Sequence, residues 1–266
     1  MRGPRLGALA RRLADAVRGD DDAMRMRTGW SPPSDPPRPT LPVVLLVLTF
    51  TTGVIDAVSF LGLQRVFTAF QTGNVVTLGF ALAGTEGFAA LPPIVSLCSF
   101  VAGAAAGGRL AARLSDRHRR WFAKALGIEA TLVALAALVA AGVVDALWSD
   151  PRLLEIGVLA AAMGLRSATV RRLSAPDAST NVLTSTITGL AADLSLTRRG
   201  FARPAWQLAT IAARLGGAVA GALLVRVSLF LPVVLVSGLV ALAAITYVMP
   251  VILRRRRREA GLTPKP

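Results

Sequence analysis

Asp56 is a carboxylate set among apolar residues, in the string GVIDAVSFLGLQRVFTAFQTGNVVTLG that runs from Gly53 to Gly79. A carboxylate inside a membrane span costs about 2.5–3.5 kcal/mol on insertion scales, so it faces a partner or water. Two chemistries are open to it: binding a proton or cation, or closing a structural ion pair. The same string breaks at Gln64-Arg65 and re-enters apolar sequence through Thr68, Gln71, Thr72, Gly73 and Asn74. Hydroxyls, amides and freed carbonyls there can coordinate a small solute or ion, or they can serve only to satisfy a broken backbone. The spacing brings the Thr72-Gly73-Asn74 turn to the depth of Asp56, where Asn74 or Thr72 would hydrogen-bond to the carboxylate. Three further charges interrupt apolar runs: Arg166, Arg214 and Glu129. Arg166 is the positional counterpart of Asp56, at a depth offset of about 10 Å, with Arg214 and Glu129 as alternative partners. Glu129 lies near the end of its run and reads as solvated. Thr180, Thr184 and Thr186 form a second polar group. The candidate binding residues are therefore Asp56, Thr68, Gln71, Thr72, Asn74, Arg166, Thr180, Thr184 and Thr186.

The elements that must position these groups are membrane spans. Of the 266 residues, 53% are apolar, and the mean hydropathy is +0.57. With runs of about twenty apolar residues, that composition predicts an all-α integral membrane protein. The net charge of +15 sits in short blocks between the apolar runs, Arg117 to Arg120, Arg171-Arg172, Arg198-Arg199 and Arg254 to Arg258. That is the pattern of cytoplasmic loops, and it argues against nucleic-acid binding. One cysteine, Cys98, inside an apolar segment, rules out a disulfide framework and reads as a small buried hydrophobe. With His118 as the one histidine, neither a His/Cys metal cluster nor a His-based triad can be assembled, so no cofactor and no enzyme activity is expected.

Apolar segments cover about 41–64, 91–110, 121–147, 153–170, 205–225 and 229–253. Polar-apolar stretches at 66–84 and 174–196 lie between them. If the basic loops and both termini are cytoplasmic, neither polar stretch can cross the membrane. Six full spans and two re-entrant or broken segments follow. Residues 1–40, basic and Pro-rich with SPPSDPPRP at 31–39, read as a disordered cytoplasmic tail, and 254–266 as a second basic tail. The halves 41–147 and 153–253 resemble each other. Thr68 to Asn74 lines up with Thr180 to Thr186, and Gly103-x-x-x-Gly107 lines up with Gly217-x-x-x-Gly221, a spacing that lets helices pack closely in lipid. One half exits where the other enters, so two inverted repeats with broken segments at matching positions are expected, which points to a transporter-like site.

The string G-x-x-D-A (53–57) followed by V-F-T-A-x-x-T-G-N-x-x-x-L-G (66–79) resembles the signature of the YoaK-like family of bacterial membrane proteins. So does the later M-G-L-R-S-A…T-x-x-x-T-S-T-I-T, although such proteins usually show T-G-T where this chain has Thr184-Ser185-Thr186. The resemblance covers about residues 41–253. It implies a six-span inner-membrane protein of uncharacterised function and names no substrate.

Two classes of function remain. One is a permease for a small solute, proton- or cation-coupled through Asp56. The other is a non-transporting membrane protein that binds lipid or partner proteins through a purely architectural polar core. Membrane lipids and an unknown small solute or ion are the expected partners, with room for a homo-oligomer.

Overall fold

A computed structural model describes residues 40–113, 118–143, 145, 149–172, 187–188 and 202–259. The tail expected over 1–40, apart from Thr40, and the second polar group of Thr180, Thr184 and Thr186 lie outside the described residues. Among the described residues there are seven helices: α1 (Thr40–Gly62), α2 (Gln71–Leu82), α3 (Leu91–Arg113), α4 (His118–Ala140), α5 (Pro151–Arg172), α6 (Ala202–Val225) and α7 (Phe230–Glu259). All but α2 carry apolar stretches of 18–23 residues, long enough to cross a membrane. Helix α2 has 12 residues and rises about 18 Å, too short for a hydrocarbon core of about 30 Å. Helix α7 continues through the arginines at 254–258 as far as Glu259, so the final basic stretch begins as helix.

The boundaries follow from local chemistry. Proline occupies the first turn of α1, α3, α5, α6 and α7, where a missing N–H breaks no intrahelical bond. Asp150 caps α5, its Oδ1 accepting from the Arg152 N–H at 3.1 Å, and Ser228 Oγ accepts from the Phe230 N–H at 3.1 Å ahead of α7. Helix α4 closes on Gly142 at φ +78°, with the Val143 N–H reaching back to the Leu138 carbonyl at 3.2 Å.

Helices α1 and α5 form the centre. In the apolar stretch of each, 61% of residues are buried, against 17% in α3 and in α6. Helix α6 packs on α1, α3 packs on α5, and α4 packs against α7 and α5, while α7 also touches α1 and α2 lies on α3. Glycines set the two closest crossings. A methyl group on Gly53 would collide with the Arg214 carbonyl and the Ala218 amide, one on Gly217 with the Phe50 carbonyl, and one on Gly221 with Val54 and Ala57. On the other pair, Gly164 abuts the Phe100 carbonyl and Ala104 amide, Gly103 the Ala161 carbonyl, and Gly107 Leu165 and Ala168. In both pairs the numbers rise together, so α1 runs parallel to α6 and α3 parallel to α5. Helices α1 and α5 are antiparallel: Gln64 meets Asp150 at one end, and Arg166 meets Leu48 toward the other.

The side-chain distribution of α2 is inside-out by the standard of a soluble protein. Asn74 and Thr77 are buried, whereas Val75, Val76 and Phe80 are exposed. Such a face suits a hydrocarbon surround, in which apolar groups lose nothing by pointing outward.

Candidate functional site

The break after α1 is where the sequence placed it. Gln64 and Arg65 both adopt left-handed backbone, at φ +58° and +57°. Consecutive non-glycine residues in that region cost about 1–2 kcal/mol each, so surrounding contacts must hold them. Gln64 Nε2 donates to Asp150 Oδ2 at 3.2 Å, and the Arg65 guanidinium lies 5.9 Å from the Phe88 ring centre. From there residues 66–70 descend without regular structure into the bundle and start α2.

Asn74 holds that descent in place. Fully buried on α2, it reaches back seven residues to clamp Phe67. Its Oδ1 accepts from the Phe67 N–H at 2.9 Å, and its Nδ2 donates to the Phe67 carbonyl at 2.6 Å. Nδ2 also lies 2.7 Å from Gln71 Oε1 and 3.0 Å from Ser96 Oγ. Ser96, buried on α3, donates to the same Phe67 carbonyl at 2.7 Å, and Gln71 Nε2 donates to the Thr68 carbonyl at 2.9 Å. An asparagine side chain here does what a neighbouring strand would do for one residue. Gly73 leaves room for aromatic rings: a Cβ there would come within 2.7 Å of both Phe67 and Phe70. Phe67 itself stacks on Phe60 at 4.7 Å.

This arrangement corrects two expectations. Thr72, Gly73 and Asn74 do not form the turn; they belong to the first turn of α2, and the reversal lies upstream at 64–70. Nor does Asn74 bond to Asp56, since its amide is taken up by Phe67, Gln71 and Ser96. Of the remaining candidates in this stretch, Thr72 is exposed, while Thr68 is fully buried and its hydroxyl has no hydrogen-bond partner.

Asp56 lies beside the hairpin. Its Oδ1 accepts from the Ala69 N–H at 3.1 Å, and its Oδ2 pairs with Arg214 Nη2 from α6. The carboxylate thus fixes the hairpin two residues past the Asn74 clamp, while joining α1 to α6. Arg166 does not reach it. From α5, Arg166 Nε donates to Glu129 Oε1 on α4 at 2.8 Å, and Nη2 pairs with the same oxygen. Its Nη1 donates to the Leu48 carbonyl at 2.8 Å and to Thr52 Oγ1 at 2.7 Å on α1. Glu129 is 1% exposed, which overturns its reading as a solvated group: α4 ends at Ala140, so Glu129 sits at mid-helix rather than near a mouth. Cys98, read as a buried hydrophobe, is exposed on α3.

Of the polar groups that the sequence marks in this stretch, Asp56, Thr68 and Asn74 are buried and Gln71 is partly buried, while buried Ser96 is one it does not mark. A serine in an apolar helix carries little signal, because it can bond back to its own helix. Glu129 was within reach of the rule that an intramembrane charge implies a partner.

The family described as "Protein of unknown function (DUF1275)" matches residues 44–246. The UPF0700 transmembrane protein YoaK of Bacillus subtilis (strain 168) is 26% identical over 155 residues, which are 57% of this chain and 66% of that protein. The match thus spans just under two thirds of the relative. No solved structure matches the chain.

Proposed function

The chain belongs to the DUF1275 family of multi-pass membrane proteins, and from that premise we propose that it is a small-solute permease built of two inverted repeats, 41–147 and 153–253. One observation carries the reading: the register of the two glycine-lined crossings. Adding 111 to the α1 residues and subtracting 114 from the α6 residues converts Gly53 on Arg214 and Ala218 into Gly164 on Phe100 and Ala104. The same shift converts Phe50 on Gly217 into Ala161 on Gly103, and Val54 and Ala57 on Gly221 into Leu165 and Ala168 on Gly107. Because α1 opposes α5, the equivalence is what halves related by an axis in the membrane plane would give, and this supports the reading. Inverted halves around a broken segment are an architecture of secondary transporters.

The basic residues favour a bacterial inner membrane with both termini in the cytoplasm, which puts the end of α1 outside. On this reading the re-entrant hairpin of α2 enters from outside, and Asp56 is the coupling group, its carboxylate exchanging Arg214 for a proton or cation. Uptake by proteoliposomes, screened without bias over small solutes and with an imposed pH gradient, tests the proposal. Accumulation by the native chain, reduced at least about tenfold in Asp56→Asn, is expected; no accumulation of any solute class rejects transport.

One observation favours a second reading. The amides of Gln71 and Asn74 and the hydroxyl of Ser96 are all engaged in holding the hairpin backbone. A polar core used in that way suits a non-transporting protein that binds lipid or partners. Water access separates the two: with native Cys98 replaced by alanine, Ser96→Cys reacts with a small hydrophilic thiol reagent in a permease and stays protected in a sealed core.

A further inference from the structure

Gln64 after α1, the end of α4, the start of α5 and Leu229 before α7 line an open-sided cavity of about 390 Å³. That size falls in the range of small-molecule sites, about 300–1,000 Å³. One wall is apolar, formed by Val139, Ala140 and Leu229. The other is charged, with Asp145, Asp150 and Glu155 against Arg152. Three carboxylates around one guanidinium make the mouth attractive to cations.

The three acids are not equivalent. Asp150 is engaged twice, by the Gln64 amide and by the Arg152 N–H it caps. Asp145 is exposed beside Gly142. Glu155, one turn into α5, is only 3% exposed, yet its Oε1 has no hydrogen-bond partner. A buried carboxylate oxygen without a donor is costly, and the cavity it lines is where a donor would arrive. Among the described residues no group of three His, Cys, Asp or Glu is arranged for a metal ion. A positive head with N–H donors on a short hydrocarbon body matches both walls.

We infer that this cavity binds a small organic ammonium ion, with Glu155 as its counter-charge and Val139, Ala140 and Leu229 against its alkyl part. Arg152 at the mouth opposes the ligand, so Arg152→Ala binds it more tightly. The site is a binding site in its own right, whether or not the cation is carried across the membrane.

Calorimetric titration of the full chain in uncharged-detergent micelles tests this, with n-butylammonium chloride as the probe and n-butanol and sodium chloride as controls. Saturable binding of butylammonium is expected, with neither control reproducing it. Glu155→Gln weakens it about tenfold or more, the scale of a lost hydrogen bond to a charged group. Ala140→Phe, which fills the cavity and keeps the carboxylate, weakens it as well and decides the matter if Glu155→Gln does not fold. Equal heats from butylammonium and sodium chloride overturn the inference. So does saturable binding of butanol, or an affinity unchanged by either variant. Transport is not measured, so failure of the permease reading and failure of this site are told apart.

Discussion

Among the described residues two ion pairs lie within the bundle, and they are built for different tasks. Arg166 and Glu129 are sealed, each with about 1% of its side chain exposed. Four N–H groups of Arg166 find acceptors on α4 and α1. Asp56 and Arg214 are wetter, at 9% and 14%, and the carboxylate divides itself between a cation and the Ala69 amide of the hairpin. Thr52 and Asp56 stand four residues apart, so one face of α1 serves both pairs across about 6 Å. The sealed pair ties three helices together at fixed distances. The wetter pair ties a span to an irregular segment, whose regular hydrogen bonding is already broken and which can therefore shift at lower cost. A charge pair that closes on itself is structural, whereas one that also holds a backbone break can couple that break to whatever titrates or replaces the charge.

The largest effect is expected at the sealed pair. Arg166→Met alone leaves Glu129 buried without a counter-charge and should cost about 3–5 kcal/mol, read as a lowered unfolding midpoint in micelles. Arg166→Met with Glu129→Leu should recover most of that loss, because an apolar pair of similar volume needs no desolvation. The corresponding double change at the wetter pair, Asp56→Leu with Arg214→Met, should not recover. It removes the acceptor of the Ala69 N–H, and an orphaned buried amide costs about 1–3 kcal/mol. Equal recovery at both pairs would erase the distinction drawn between them.

The next effect concerns the clamp. Asn74→Ala removes two of the three hydrogen bonds to the Phe67 backbone, orphaning its N–H and leaving its carbonyl to Ser96. A loss of about 2 kcal/mol is expected, within the range for an unpaired buried donor. Asn74→Asp keeps an acceptor for the Phe67 N–H but sets a buried carboxylate against the Phe67 carbonyl, so stability is not recovered although that one bond is kept. Hydrogen exchange at the Phe67 amide reads this directly, with fast exchange in Asn74→Ala and protection in Asn74→Asp.

How far these pairs were legible depends on what kind of signal each residue carries. Asp56 and Arg166 declare themselves by being charged inside apolar sequence, and the need for a partner follows from desolvation alone. The identity of the partner does not follow, because it depends on which helices neighbour each other. The glycine spacings at 103/107 and 217/221 announced close crossings without saying that one lies against α5 and the other against α1. The Gln64-Arg65 break was legible from polarity at membrane depth. Its geometry was not: two left-handed residues without glycine are held by Asp150 and Phe88, far along the chain. Asn74 was recognised as buried and polar, but a clamp reaching back seven residues exists only once the chain has folded. An apolar run over 121–147 puts Glu129 near one end, whereas the helix runs from His118 to Ala140 and has Glu129 at its middle.

The smallest effect is a coupling, and it separates the two pairs most sharply. Asp56 and Asn74 make no bond to each other, yet they hold the same five-residue descent, one at Ala69 and the other at Phe67. Releasing Ala69 lets the loop relax around a retained Asn74 clamp, and releasing Phe67 lets it relax around a retained Asp56. Removing both frees it altogether. A double-mutant cycle of Asp56→Ala with Asn74→Ala should therefore show an interaction of about 0.5–1 kcal/mol, the low end for residues coupled through a shared backbone segment. Arg166 touches no part of that descent, so the cycle of Arg166→Ala with Asn74→Ala should be additive to within about 0.3–0.5 kcal/mol. Thermal unfolding of the four proteins in each cycle gives both numbers. If the second cycle couples as strongly as the first, the two ion pairs belong to one network and the wetter pair has no special hold on the hairpin. If neither couples, the hairpin is held by its aromatic packing, with Phe67 between Phe60 and Phe70, and the Asp56 bond to Ala69 contributes to α1 alone.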